Sequence, residues 1–243
     1  MWTPTALASK ACRRSGTAWR VVEFQHTAAT RKVVDTKSDQ ELLEDILEAT
    51  KPPVALDTED LHYLLKTPFR YNAPYPVGSR FRRAGSTEGV FYGSKRVRTA
   101  LAELCYFRLR FYNESPDTLL PRHQEQLTVF SVGYSTGLGI DLTQPPFVKD
   151  RTIWTDPSAY EKTQTFADSA REAGIQLILY ESVRDVDYGL NLALLSPTAF
   201  KSKEPITTQT WFFYLSEVEA NFERANANRH DEQWTFKRDQ FSI

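Results

Sequence analysis

The chain has 243 residues, 41% of them hydrophobic and 25% charged, which suits a sizeable folded core and excludes a disordered or low-complexity protein. Thirty basic and thirty-one acidic residues leave a formal net charge of -1, so no overall field recruits nucleic acid or an anionic membrane, and any anion site must be local. Two cysteines, Cys12 and Cys105, supply no disulfide framework and fit a reducing cytoplasm.

Met1 to Arg14 carries its basic residues after a short apolar stretch, whereas a signal peptide places them before a longer one. No window approaches the roughly 18 uninterrupted apolar residues of a membrane span. A cytoplasmic protein without a membrane partner is expected.

In chain order, Trp19 to Glu23 alternates as a short strand would. Ser38 and Glu41 have capping-box spacing before an apolar stripe of Leu42, Leu43, Ile46 and Leu47, and Lys51-Pro52-Pro53 stops that helix. A second short helix is predicted over Leu61 to Leu65, followed by a loop through Asn72 to Pro76. Gly78 to Gly85 reads as a loop and Gly89 to Gly93 as a short strand.

Val97 to Tyr112 predicts a helix that is apolar on most faces and therefore largely buried, with Glu103 in its middle. Strands are expected at Leu127 to Tyr134 and, separately, at Ile140 to Leu142. Asp156-Pro157 predicts a helix start and Gly174 its stop. Ile175 to Tyr180 reads as a buried strand, and further strands are expected at Thr210 to Leu215 and Gln233 to Phe236, separated by a helical or irregular stretch. Strands and helices interleave without regular alternation, which favours a mixed α+β fold.

The common chemical signatures are missing. There is no phosphate loop, no dinucleotide glycine fingerprint, no His-Glu-x-x-His and no Cys-x-x-Cys. The four histidines, His26, His62, His123 and His230, are scattered and receive no role, and no metal is expected. Three arginines, Arg80, Arg82 and Arg83, surround Phe81 in a glycine-bounded loop; they read either as a pyrophosphate-and-base site or as a solvated basic loop. A carboxylate such as Glu103 in an apolar helix needs a partner, either Arg110 and solvent or a ligand. Ser182, at a strand end, lacks the Gly-x-Ser-x-Gly elbow of a hydrolase nucleophile.

Taken as an ordered set, Gly78-Ser79-Arg80-Phe81-Arg82, Gly89-Val90-Phe91-Tyr92, Thr99 to Glu103, Tyr180 to Asp185 and Asn191 to Leu195 resemble the RES domain. That family is named for an arginine, a glutamate and a serine, here Arg80, Glu103 and Ser182. The likeness spans about Trp19 to Phe200, within a single domain over residues 1–243 that carries a helical insertion at about 38–66. The resemblance implies an ADP-ribosyltransferase-like α+β fold with a split β-sheet core. It also implies an NAD+-consuming toxin of a toxin–antitoxin system, neutralised by an Xre-type antitoxin.

In that frame Arg80, Tyr92, Glu103 and Ser182 are the expected catalytic residues, and Arg20, Arg80, Phe81, Arg82, Tyr92 and Asn191 contact NAD+. Compact members carry asparagine where this chain has Arg82. The longer form is similar to the ParT branch, which implies transfer of ADP-ribose to a protein. Water or phosphate as acceptor, as in a glycohydrolase or phosphorylase, is the alternative. A different class altogether is a non-catalytic RNA-binding module built on Arg80, Phe81, Arg82, Arg83 and Tyr92, which the near-neutral charge disfavours.

Overall fold

The structure, a computed structural model, describes residues 2–23, 34–50, 58–70, 77–225 and 232–241. Helix α1 (Pro4–Ala8) precedes strand β1 (Cys12–Glu23), and α2 (Lys37–Thr50) and α3 (Tyr63–Lys66) follow. Next come β2 (Phe91–Ser94), α4 (Val97–Glu114), β3 (Glu125–Asp141), α5 (Arg151–Trp154) and α6 (Glu161–Glu172). Strands β4 (Leu177–Glu181), β5 (Leu190–Leu194), β6 (Thr207–Leu215), β7 (Glu219–Arg224) and β8 (Gln233–Lys237) complete the described elements.

Among the described residues the strands form one mixed, eight-stranded sheet in the order β1-β2-β5-β4-β3-β6-β7-β8. Strand β3 also pairs along its length with β1. Its opposite edge is divided: Glu125 to Ser131 bonds antiparallel to β6, whereas Gly139 to Asp141 bonds parallel to β4. Thus β1, β2, β5, β4 and β3 close on themselves, and β6 to β8 diverge as a second leaf. This is the expected mixed α+β fold with a split sheet and flanking helices.

Side-chain alternation along the strands separates two cores, as the period of two dictates. Leu177 and Leu179 of β4, Leu192 and Leu194 of β5 and Phe91 of β2 enter one cluster with Phe130 and Val132. Ile178, Tyr180 and Ala193 point the other way, into a cluster closed by α1 and α6 through Leu7, Phe166 and Ala170. A third cluster lies between α4 and the second leaf, joining Leu101, Cys105 and Leu109 to Trp211, Phe213, Phe222 and Phe236.

Several expectations shift. Strand β1 begins at Cys12, seven residues before the alternating stretch, because β3 pairs with it back to Gly139. Instead of two strands, one continuous β3 runs from Glu125 to Asp141. The stretch expected to be helical or irregular before Gln233 contains β7, whose Ala220 and Phe222 are buried against the third core.

Helix α4 is buried on one side only, with Phe107 57% and Phe111 50% exposed. The α2 cap lies two residues upstream of the expected box: Thr36 Oγ1 accepts the Asp39 N–H at 3.1 Å and donates to its carboxylate at 2.6 Å. Asp156 does not start a helix. Its side chain instead accepts the N–H groups of Ser158 and Ala159, and α6 begins at Glu161. Gly174 does end α6, with φ of 71° in the left-handed region and the Ile175 N–H bonded to Ala170. The prolines after α2 and the segment Asn72 to Pro76 lie outside the described residues.

Candidate active site

One face of the β2-β5-β4 ribbon delivers a row of side chains. Ser94 registers with Asn191, and Asn191 with Tyr180, so residues far apart in sequence stand side by side across three strands. Helix α4 crosses this row, and between them lies a cleft of ≈ 330 Å³ lined by Arg20, Arg80, Tyr92, Glu103, Tyr160, Tyr180, Arg184 and Asn191, among others. A cavity of this size falls at the small end of the range for ligand sites.

The carboxylate of Glu103 is the centre of the arrangement. Its Oε1 accepts the Ser182 hydroxyl at 2.7 Å and the Asn191 side-chain amide at 2.6 Å, and Arg110 pairs instead with Glu114 at 2.7 Å. The other oxygen, Oε2, has no protein donor among the described residues. Ser94 Oγ in turn donates to Asn191 Oδ1 at 2.6 Å, which fixes the amide with its N–H toward Glu103. Ser94, Ser182 and Asn191 are each less than 4% exposed, so this chain of bonds is shielded from competing water.

The bond that holds Ser182 in place is local. Its Oγ accepts the N–H groups of Arg184 and Asp185 in a serine turn, while its proton goes to Glu103. Asp185, 3% exposed, ties this turn to α4 by accepting from Thr99 at 2.7 Å and pairing with Arg98. Gly189 backs the clasp.

The arginine loop is a two-residue turn with Arg80 and Phe81 at its tip, closed by paired backbone bonds between Ser79 and Arg82. Successive side chains diverge there. Arg80 enters the cleft wall, donates to the carbonyls of Trp154 at 2.7 Å and Asp156 at 2.9 Å, and lies 4.8 Å from the Tyr160 ring centre. Phe81 is fully buried against Tyr180, so it belongs to the core and does not line the cleft. Arg82 also does not line it. Arg83 reaches Asp168 and Thr165 on α6, and the basic aromatic platform expected of an RNA-binding module does not form one surface.

Tyr92 links the loop to the sheet. Its hydroxyl meets Ser79 Oγ at 2.8 Å and accepts the Phe81 N–H at 3.0 Å, and burial raises its pKa above the ordinary phenol value. Tyr180 is raised further, first by burial and then by the nearby charge of Glu103, so both phenols stay neutral at physiological pH. Arg20 donates to the Tyr92 carbonyl at 3.0 Å and rests 4.9 Å from the centre of the Phe91 ring. Thr163, Gln164 and Arg171 of α6 bind the backbone carbonyls of residues 79–82 and fix the loop from behind.

Of the residues expected from sequence, the cleft therefore gathers Arg20, Arg80, Tyr92, Glu103 and Asn191, with Ser182 immediately behind the carboxylate. It omits Phe81 and Arg82. Ser94, Tyr160, Tyr180 and Arg184 carry no role in the sequence reading, although Arg184 stands in the polar Glu181 to Asp185 segment that ends β4. Among the described residues no group of three or more His, Cys, Asp or Glu side chains could hold a metal ion. None of the described helices is long and apolar enough to cross a membrane.

A family model for the RES domain matches residues 52–216, which contain Arg80, Glu103 and Ser182. The chain belongs to the RES domain family. The match covers more than half of the sequence, and it begins within the region expected to be inserted. No curated protein matches the chain. Among solved structures it is similar to the crystal structure of the M. tuberculosis MbcT-MbcA toxin-antitoxin complex, with a TM-score of 0.45 and 11% identity, over 83% of this chain and 90% of that one. In this RES protein Arg80 and Glu103 line one cleft, and Ser182 is bonded to the Glu103 carboxylate.

Proposed function

We propose that this RES protein is a toxin that consumes NAD+ by breaking the nicotinamide–ribose bond and transferring ADP-ribose to a protein. The observation that carries the reading is Glu103, a carboxylate that lines the cleft, held through one oxygen by Ser182 and Asn191 while the other has no protein donor among the described residues. Nicotinamide leaves NAD+ as a neutral molecule, taking the electron pair of the broken bond, so no proton donor is needed. The ribose carbon left behind is electron-poor, and a fixed negative charge beside it lowers the barrier. The acceptor then forms the new bond to that carbon and gives up its own proton.

In this reading Arg80 holds the diphosphate and the Tyr92 and Tyr180 rings flank the cleft, while Ser182 positions Glu103 and attacks nothing. Asn191 also acts through Glu103. Asn191→Ala is expected to lower kcat roughly tenfold or more by releasing the carboxylate, with KM for NAD+ little changed; Ser94→Ala should do the same more weakly. A loss confined to KM, measured by steady-state kinetics, would place Asn191 on the substrate instead.

A protein acceptor is favoured over water by the apolar mouth of the cleft, where Phe107 is 57% and Val77 66% exposed. An Xre-type antitoxin, implied by family, would neutralise the toxin. The test is to incubate the purified chain and labelled NAD+ with cell extract. A discrete labelled protein band is expected. Release of free ADP-ribose, or of its phosphorylated form, would replace the protein by water or phosphate, and NAD+ left intact would remove the enzymatic reading.

A further inference from the structure

The cleft holds a second buried arginine whose place in the fold suggests a ligand. Arg184 is 7% exposed and Arg80 8%, and neither is ion-paired among the described residues. Their guanidinium groups converge on one short segment. Arg80 donates to the carbonyls of Trp154 and Asp156, and Arg184 to that of Pro157; Arg80 lies over the ring of Tyr160, whose hydroxyl is 3.5 Å from Arg184 Nη2. The Asp156 carboxylate, whose Oδ1 caps the Ser158 and Ala159 N–H groups, feels the charge of Arg80 but forms no ion pair with either arginine.

Two cations set side by side and withdrawn from water repel each other and forgo hydration, a cost that backbone carbonyls offset only in part. An anion bridging them would remove it. Arg184 is also immobilised in a way that suits anion binding. Its guanidinium lies 3.4 Å from the centre of the Tyr106 ring, and its backbone N–H is bonded to Ser182. Among the described residues only Nη2 is engaged by protein oxygens, which leaves Nε and Nη1 for another acceptor. Among the described residues the cleft thus has one lining carboxylate, Glu103, and the arginine pair beside Tyr160, set within a largely apolar lining.

We propose that Arg184 and Arg80 together form the subsite for the diphosphate of a dinucleotide or of ADP-ribose, a role for which the sequence offers Arg80 and its loop neighbours Arg82 and Arg83. The inference rests on the NAD+ reading for the identity of the ligand, while the anion subsite itself stands on two buried arginines that form no ion pair among the described residues. Its effect should fall on binding. Because Glu103 is untouched, loss of Arg184 raises KM for NAD+ and leaves kcat nearly as it was.

The experiment is calorimetric titration of the full chain with ADP-ribose, inorganic pyrophosphate and, as a ligand without a diphosphate, nicotinamide riboside. Arg184→Met is expected to weaken ADP-ribose and pyrophosphate roughly tenfold or more, Arg184→Lys less, and the surface control Arg13→Met not at all. Nicotinamide riboside should bind all four proteins alike. If Arg184→Met binds ADP-ribose within twofold of the parent, or weakens nicotinamide riboside equally, Arg184 merely glues the 154–160 segment to β4 and the subsite is lost. A parent chain that binds ADP-ribose yet leaves NAD+ intact would remove the proposed reaction and keep the subsite. One that binds neither ADP-ribose nor pyrophosphate would overturn the subsite.

Discussion

Glu103→Gln is expected to slow NAD+ consumption at least about a hundredfold, the usual loss when an electrostatic stabiliser of a transition state is removed. The substitution is close to isosteric. A glutamine carbonyl at the Oε1 position still accepts from Ser182 and Asn191, the two bonds that anchor the side chain at 2.7 and 2.6 Å. Its amide then occupies the position of Oε2, so the cleft loses a negative charge and gains a donor where an electron-poor sugar carbon would lie. The fold should be indifferent, and thermal unfolding should shift by no more than about 2 °C. Chromatographic quantitation of NAD+ against time, beside a melting curve, reads both quantities; parental turnover in the variant would show that the charge at residue 103 does no chemistry.

The second large effect is expected at Gly189. A Cβ there would lie 2.0 Å from Thr99 Oγ1 and 2.7 Å from an Asp185 carboxylate oxygen, both engaged with each other at 2.7 Å. Neither can swing away cheaply, since Asp185 is also held by Arg98 and Thr99 is fully buried. Gly189→Ala should therefore cost about 3 kcal/mol, at the high end for overpacking, which lowers the melting temperature by roughly 6–12 °C in a chain of this size. The damage should also reach the cleft. Residues 182–185 hang from this clasp, and the Gly189 carbonyl accepts the Ser182 N–H at 2.7 Å, so the carboxylate loses its anchor along with the fold. Calorimetric melting together with NAD+ turnover tests both; an unshifted melting temperature would mean that the Thr99–Asp185 contact yields freely.

What could be read from the sequence follows the range of the forces involved. The helix that bears Glu103, the strand leading to Ser182 and the Gly174 stop are local patterns with counterparts in the structure, whereas the burial expected on most faces of α4 is found on one side only. Glu103 stands out because an apolar helix offers a carboxylate no partner of its own. Its actual partners, Ser182 and Asn191, are 79 and 88 residues away, and only the register of β2, β5 and β4 brings Asn191 and its support Ser94 into line.

Non-local pairing also explains the misjudged strands. Cys12 to Ala18 becomes strand because β3 supplies a partner, and β7 because β6 and β8 flank it. The arginine loop differs for another reason. Three arginines within four residues look equivalent in sequence, but a two-residue turn sends neighbouring side chains to opposite sides, with Arg80 toward the cleft and Phe81 into the core.

The continuity of β3 has a consequence for how anything enters the cleft. A single strand threads both leaves of the split sheet and is zipped to β1 along its length, so the leaves are not separate bodies joined by a hinge. Opening one from the other would tear a backbone ladder, far too steep a toll for a small guest. The cleft is in this sense a fixed mould. Occupancy should proceed in one step, with an observed rate that climbs linearly with guest concentration and shows no plateau.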